Sequence, residues 1–209
     1  MANNKVYCYH EPMFGKGYQS GAEACIALWR KSWELRGWET HVMRRADAMT
    51  DPRFHQFVER VTKFKTINPL SYEIACWVRW LAFAQVGGGV MTDWDAINTY
   101  MTPHDQPSQD EIKIWDSTGV PCAVSASAQG AHDIVDYIMA HADDNGLSHY
   151  SDMILFRASP WPWTGHCLGV GTTGWLTAPV LHFSTTDCRN MWPGAPKASC
   201  IINHTGIRL

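Results

Sequence analysis

A glycine-rich break followed by two closely spaced carboxylates most constrains what this chain can fold into. Glycines at 87–89 interrupt the preceding segment, and residues 90–92 are strand-compatible and lead to Asp93 and Asp95. In an extended segment, side chains two positions apart point to the same face, so these carboxylates are expected to bind one cation together. Mg²⁺ and Mn²⁺ prefer carboxylate oxygens, with substrate phosphates in the remaining positions. The stretch predicts a divalent cation that holds a diphosphate; the alternative is a solvated turn after a strand.

The residues before the glycines predict an amphipathic helix over 70–85. Apolar side chains recur there at helical spacing, at Ile74, Trp77, Val78, Leu81 and Ala84. Arg79 lies off this apolar stripe. The order is therefore helix with an arginine, glycine stop, short strand and carboxylate pair, a combination less expected by chance than the pair alone.

Two segments, 72–82 (YEIACWVRWLA) and 88–95 (GGVMTDWD), resemble the signature of metal-dependent glycosyltransferases of the GT-A fold. The resemblance is to the small enzymes with a DXD sugar-binding motif, which are related to capsular-polysaccharide transferases and mannosyltransferases. It implies that Arg79 and Trp94 help to bind a nucleotide-sugar. It also implies that Asp93 and Asp95 hold Mn²⁺ or Mg²⁺ on the diphosphate. The family often has an aspartate where this chain has Cys76.

The beginning of the chain predicts a βαβ unit. Residues 5–10 read as a strand, 22–35 as a helix and 39–43 as a second strand, an order that favours a parallel sheet with covering helices. With the resemblance, the predicted fold class is α/β: a single GT-A (Rossmann-like) domain with a mostly parallel central sheet flanked by helices. The nucleotide-binding half is expected at about 1–98 and the acceptor-side half at about 99–209.

The end of the first strand is the predicted pocket for the nucleotide base. Ligands of such sheets bind beyond the carboxyl ends of the strands, which points to Tyr9, His10 and the glycine-containing loop at 11–20. The resemblance agrees, because GT-A enzymes bind the base at the end of their first strand. For His10, the alternative is a surface histidine.

Two later residues complete the predicted site. Asp152 follows Ser151 at the start of an apolar run, where the pair could simply cap a helix. The resemblance implies instead a carboxylate that faces the acceptor or donor sugar, which makes Asp152, with Arg79, a candidate catalytic residue. The resemblance also places a histidine near the C-terminus at the metal, and His182 is preferred over His204 for this role.

Cysteine content indicates the redox environment of the protein, and hydropathy indicates whether a segment could cross a membrane. The seven cysteines are odd in number and form no CxxC pair, which argues against a zinc site or a disulfide framework and favours a reducing, cytoplasmic setting. The longest charge-free stretch, 158–186, contains several glycines and prolines and cannot form a regular membrane helix. No membrane span is therefore expected.

Charge and aromatic content leave several functions open. The net charge is −3, but residues 30–65 contain nine Lys and Arg against five Asp and Glu, so this stretch carries +4. The function that the resemblance implies is transfer from a nucleotide-sugar, with UDP as the expected nucleotide, to a glycan or glycoconjugate. The residues leave retention and inversion open, and the resemblance favours retention. The alternatives are a glycosyltransferase for a modified DNA base, a carbohydrate-binding module that stacks sugars on some of the eleven tryptophans, and a metal-dependent hydrolase.

Overall fold

One eight-stranded sheet organises the protein. The structure is a computed structural model and describes residues 4–12, 21–143 and 146–209. Its strands are β1 (Lys5–Tyr9), β2 (Glu39–Met43), β3 (Gly89–Thr92), β4 (Ala96–Asn98), β5 (Lys113–Asp116), β6 (Ala123–Ala126), β7 (Trp163–Gly169) and β8 (Val180–His182). The α-helices of these described ranges are α1 (Ala22–Glu34), α2 (Arg45–Ala48), α3 (Phe54–Val61), α4 (Leu70–Gln85), α5 (Ala128–His141), α6 (Asp152–Arg157), α7 (Thr185–Met191) and α8 (Lys197–Thr205).

The sheet is mixed. Its strand order is β2-β1-β3-β6-β5-β7-β8-β4. Neighbours are parallel in the pairs β1–β2, β1–β3, β5–β7 and β7–β8, and antiparallel in β3–β6, β5–β6 and β4–β8. The α/β class is confirmed, but the prediction of a mostly parallel sheet is wrong. The connection between β5 and β6 is too short for a crossover, which a parallel pair would need, so the second half brings reversed strands into the sheet.

The first half follows its local sequence pattern closely. The strand–helix–strand beginning is present as β1, α1 and β2, and α4 begins and ends where the helical spacing predicts. The glycines after α4 have left-handed backbone, with φ of +85°, +72° and +115° at 87, 88 and 89. A Cβ at Gly88 would lie 2.5 Å from the carbonyl oxygen of Ser127, so only glycine fits there. Of the predicted loop at 11–20, residues 13–20 lie outside the described residues.

Apolar side chains cover both faces of the sheet. One buried cluster joins α3, α4 and α5 to the sheet, and the other joins α1, α7 and α8 to it. Six of the eleven tryptophans are buried, namely Trp29, Trp33, Trp38, Trp77, Trp80 and Trp115. In the described ranges, no helix is both long enough and apolar enough to cross a bilayer.

The basic stretch is largely occupied by internal contacts. Arg53 pairs with Asp51 and Asp136, and Arg45 pairs with Glu11. Because Glu11 and Asp136 lie outside residues 30–65, they offset two of the four excess positive charges of this stretch.

Candidate functional site

The turn between β3 and β4 carries Asp93 and Asp95. Both residues were expected in an extended segment, but they lie in a tight turn in which the Ala96 amide donates to the Asp93 carbonyl at 3.0 Å. Two further backbone bonds anchor it: the Asp93 amide donates to the Cys122 carbonyl at 2.7 Å, and the Phe183 amide donates to the Asp95 carbonyl at 2.9 Å. The turn is therefore tied to β6 on one side and to the end of β8 on the other.

Two buried tryptophans of α1 hold the residues that flank the turn. The Trp29 indole donates to the Thr92 hydroxyl at 2.9 Å, and the Trp33 indole donates to the Ala96 carbonyl at 3.0 Å. Both rings are completely buried. Their large side chains thus fill the core while their N–H groups fix the backbone on each side of the carboxylates.

His182 completes a three-residue group with the two aspartates. Its Nε2 lies 3.6 Å from Asp93 Oδ2 and 3.5 Å from Asp95 Oδ1, and the candidate ligand atoms all lie within 4.8 Å of one another. The pairing of β4 with β8 sets this position, because Ala96 is opposite His182 in the register. His204, the rival histidine, packs against Trp175 with ring centroids 4.3 Å apart and has no part in this group.

Arg79 connects two of the predicted site carboxylates. Its Nη1 donates to Asp93 Oδ1, and its Nη2 donates to Asp152 Oδ2 at 2.7 Å and to the Pro121 carbonyl at 3.1 Å. The Trp80 indole also donates to Asp152 Oδ2 at 3.0 Å. Arg79 and Asp152 therefore lie behind Asp93 as a buried support, and the sugar-facing role predicted for Asp152 stays a prediction.

Lys197 is a site residue that the sequence did not reveal. Its Nζ lies 2.6 Å from Asp95 Oδ2 and 4.9 Å from the centre of the Trp94 ring. It is the first residue of α8 and is 102 positions from Asp95. Only the packing of α8 against α1 brings it to the turn, and no local motif marks it.

The charges of this group are strongly coupled. Burial raises the pKa of Asp93 above its ordinary value, although Arg79 and His182 oppose this effect. Burial would also raise the pKa of Asp95, but Lys197 and His182 outweigh it and hold this pKa well below its usual range. Burial would lower the pKa of His182, but Cys122 and Asp95 raise it well above the ordinary value.

The residues fit a divalent cation. Two carboxylate oxygens and one imidazole nitrogen are a donor set that Mn²⁺ accepts. For ligands about 2.1 Å from an ion, adjacent ligand atoms are about 3 Å apart, so the observed 3.5 and 3.6 Å need only a small contraction. Since a metal ligand must be deprotonated, an ion bound by His182 would displace the proton that its raised pKa retains.

The predicted base pocket lies beside this turn. Cys8 of β1 is opposite Thr92 of β3, so Tyr9 and Asp93 follow paired residues of two parallel neighbours. The Tyr9 hydroxyl donates to Glu11 at 2.9 Å, while its ring packs in the core.

His10 follows Tyr9 and is a buried residue, which rules out the surface alternative. Its Nδ1 contacts Arg44, whose Nη1 also donates to the His10 carbonyl at 2.9 Å. Its Nε2 is buried and has no partner among the described residues. Burial, and then the nearby Arg44 charge, lower the pKa of His10, so its ring is neutral at physiological pH. A neutral ring with a free nitrogen is able to form one hydrogen bond with a ligand.

Comparison with known proteins gives a family without an activity. A family model described as "Domain of unknown function (DUF8765)" matches residues 1–110 of the chain. The matched part contains α4, β3 and the turn with Asp93 and Asp95, and it ends before Asp152, His182 and Lys197. A search of curated proteins found no match.

Proposed function

The chain belongs to the DUF8765 family, whose description states no activity, and we propose its function from the site itself. We propose that the protein transfers a sugar from a nucleotide-diphosphate sugar, with UDP as the expected nucleotide, to a glycan or glycoconjugate acceptor. Mn²⁺ or Mg²⁺ is the proposed cofactor, and GT-A is the proposed fold family. The observation that carries the proposal is the convergence of Asp93, Asp95 and His182 at the end of β3.

The charge of the site suits a metal-bound diphosphate. The three carboxylates Asp93, Asp95 and Asp152 face two permanent cations, Arg79 and Lys197, which leaves one negative charge when His182 is neutral. A divalent cation turns this into one positive charge, which favours an anionic donor. The bound cation neutralises charge on the diphosphate as the glycosidic bond breaks.

The chain's own residues position this charge. Arg79 holds Asp93 through Oδ1, which directs Oδ2 toward His182. Lys197 holds Asp95 Oδ2 in the same way and leaves Oδ1 facing His182. Each aspartate thus has one oxygen fixed by a side-chain cation and one directed into the group.

Lys197 is also placed to meet the leaving group. It lies against the Trp94 ring, and both side chains are partly exposed beside the turn. A divalent cation on Asp95 would neutralise that carboxylate, and the Lys197 ammonium beside it would then be placed to contact a phosphate oxygen. His10, with its unpartnered Nε2 at the end of the neighbouring strand, is proposed to contact the base.

Calorimetric titration with UDP, GDP and CMP, each with and without Mn²⁺, tests the proposal. We expect one nucleotide to bind only with Mn²⁺, and Asp95→Asn to abolish this binding. Asp51→Asn is the matched control, because Asp51 is an equally buried carboxylate whose two oxygens accept hydrogen bonds from Arg53 and Gln85 and from no histidine. Absence of nucleotide binding under all conditions would overturn the proposal and favour a sugar-binding module. Metal-independent binding that Asp95→Asn leaves intact would also contradict it.

A further inference from the structure

Cys122 contacts two of the three residues proposed to bind the cation. Its carbonyl accepts from the Asp93 amide at 2.7 Å. Its sulfur forms a group with a carboxylate oxygen of Asp116 and a ring nitrogen of His182, all within 4.8 Å of one another, and it hydrogen-bonds the ring. All three side chains of this group are buried. Because a metal-binding histidine almost always donates its other ring N–H to a partner, Cys122 is a candidate for that partner.

The hairpin of β5 and β6 brings Asp116 and Cys122 together. Lys113 is opposite Ser125 and Ile114 is opposite Val124, and the same antiparallel register continues to place Asp116 opposite Cys122. The Cys122 thiol donates to Asp116 Oδ2 at 3.7 Å. The two residues that meet the His182 ring on this side therefore come from one hairpin, while the ring itself is carried by β8.

Hydrogen-bond donors fix the direction of this chain of contacts. Asp116 Oδ1 accepts from the Thr118 amide at 2.6 Å and from the Thr118 hydroxyl at 2.5 Å, which leaves Oδ2 for Cys122. A carboxylate only accepts, so the single proton of the thiol points to Asp116. Burial raises the pKa of Cys122 well above its ordinary value, so the thiol keeps this proton. Its sulfur is left to accept from His182, and the ring nitrogen that faces it must carry a hydrogen.

This direction suits a metal ligand. Nε2 of His182 faces Asp93 and Asp95, and a metal needs that nitrogen without its hydrogen. A neutral imidazole carries hydrogen on one nitrogen only. If the sulfur holds the hydrogen on Nδ1, Nε2 is the nitrogen that is free for the ion.

We propose that Cys122 and Asp116 are positioning residues, which hold the His182 ring with a hydrogen on Nδ1 and with Nε2 directed to the cation. Asp116 orients the thiol, and Cys122 orients the ring. Through its carbonyl, Cys122 also fixes the backbone of Asp93, so one residue aligns two ligands from different strands. The inference rests on the proposed metal site and adds two residues that do not themselves contact the ion.

Two measurements test this role without reference to activity. Nitrogen–proton correlation spectra of the histidine rings, with His182→Gln to identify the signals, should show a His182 Nδ1–H that exchanges slowly with water in the metal-free protein. Calorimetric titration with Mn²⁺ alone measures the affinity of the site. Cys122→Ala should lose the slowly exchanging signal and weaken Mn²⁺ binding by about 10–100-fold. Cys122→Ser should restore part of both, because a hydroxyl also donates one hydrogen and accepts another.

Asp116→Asn tests the direction of the contacts. The Thr118 amide still needs an acceptor, so the asparagine oxygen stays there and its NH₂ group faces Cys122. The thiol proton then turns toward the ring, and the slowly exchanging Nδ1–H signal of His182 should disappear. This variant also carries the test if Cys122→Ala does not fold.

Cys167→Ala is the matched control. Cys167 is equally buried and its sulfur lies 3.6 Å from Cys122 Sγ, but in the described part of the chain it does not belong to the group with His182. It should leave the ring signal and the Mn²⁺ affinity unchanged. Equal results for Cys122→Ala and Cys167→Ala would overturn the positioning role and leave the metal site standing. Absence of Mn²⁺ binding by the wild-type protein would overturn the metal site, and the positioning role with it.

Discussion

Two groups of side chains in this protein, each containing a buried aspartate, pair carboxylates with cationic side chains in different ways. In the first, Asp51 accepts through Oδ1 from the Arg53 amide and Nε, and through Oδ2 from Arg53 Nη2 and Gln85 Nε2, all at 2.8 to 2.9 Å. Arg53 is in turn shared with Asp136. Both oxygens of Asp51 are occupied by donors that belong to the chain, so we call this group the closed cluster.

The second group, at the β3–β4 turn, is arranged differently. Asp93 and Asp95 each give one oxygen to a side-chain cation, Arg79 or Lys197, and direct the other toward His182 at 3.5 to 3.6 Å. That separation is too long for a strong hydrogen bond and close to the spacing of two ligands on one ion. The two groups differ in whether hydrogen-bond donors of the protein itself occupy both oxygens of each buried aspartate.

We call Asp93, Asp95 and His182 the open group, and the largest expected effect concerns Arg79, which supports it. Arg79→Leu removes the guanidinium from Asp93 and from Asp152, which is only 5% exposed. Leaving such charges unpaired should lower the free energy of unfolding by about 3–5 kcal/mol. Denaturant unfolding measures the loss. Arg79→Lys should recover only part of it, because one ammonium cannot replace a forked guanidinium; a loss below about 1 kcal/mol in Arg79→Leu would contradict this role.

The next effect is on cation binding. Asp93→Asn should weaken Mn²⁺ binding by about 100-fold, since replacement of groups that merely support a ligand already costs about 10–100-fold. Isothermal titration with Mn²⁺ in the presence of nucleotide measures it. Equal affinities of Asp93→Asn and Asp51→Asn would show that the open group is no more a metal site than the closed one.

Replacement of Asp51 in the closed cluster should change the free energy of unfolding and its pH dependence, instead of cation binding. Hydrogen bonds from Arg53 outweigh burial and hold the pKa of Asp51 below its usual value. A carboxyl with a lowered folded-state pKa contributes stability that is present above the unfolded pKa of about 3.9 and is lost as pH falls through the folded value. Asp51→Asn should therefore cost about 1–3 kcal/mol of unfolding free energy at pH 7.

That cost should shrink when unfolding is measured below pH 4, where the Asp51 carboxyl begins to protonate in the unfolded chain and, at still lower pH, in the folded protein. Nucleotide binding should be unchanged at pH 7. A cost that stays constant down to low pH would mean that the charge of Asp51 does not stabilise the closed cluster.

The smallest expected effect is a change in Mn²⁺ affinity when Lys197 is replaced. Its ammonium neutralises Asp95 through Oδ2 and weakens the attraction of an ion to Oδ1, so Lys197→Met should bind Mn²⁺ alone about tenfold more tightly, equivalent to about one pKa unit of interaction. Calorimetry without nucleotide is the measurement. Lys63→Met is the control, since Lys63 forms an exposed ion pair with Glu59. Weaker binding in Lys197→Met would show that the lysine supports the ion instead of competing with it.

Local sequence determined the elements around the turn. Helical spacing specified α4 from Leu70 to Gln85, because an amphipathic stripe and a glycine stop act over a few residues. The Asp-x-Asp stretch with Arg79, and a late histidine, predicted a group that the fold brings together. The predicted reason for the convergence of Asp93 and Asp95 is wrong. A tight turn brings the two carboxylates together, and not the alternation of side chains along a strand.

Tertiary structure alone decided the rest. Strand direction in the second half depends on which edges pair, so β5 and β6 reverse in a sheet expected to be mostly parallel. Lys197 reaches Asp95 across 102 positions, and Cys122 meets Cys167 across 45. No spacing motif encodes such contacts, because they arise from strands and helices that pack after the chain has turned back on itself. Sequence thus determined where Asp93 and Asp95 stand, and the packing of the second half brought Lys197 and His182 to them.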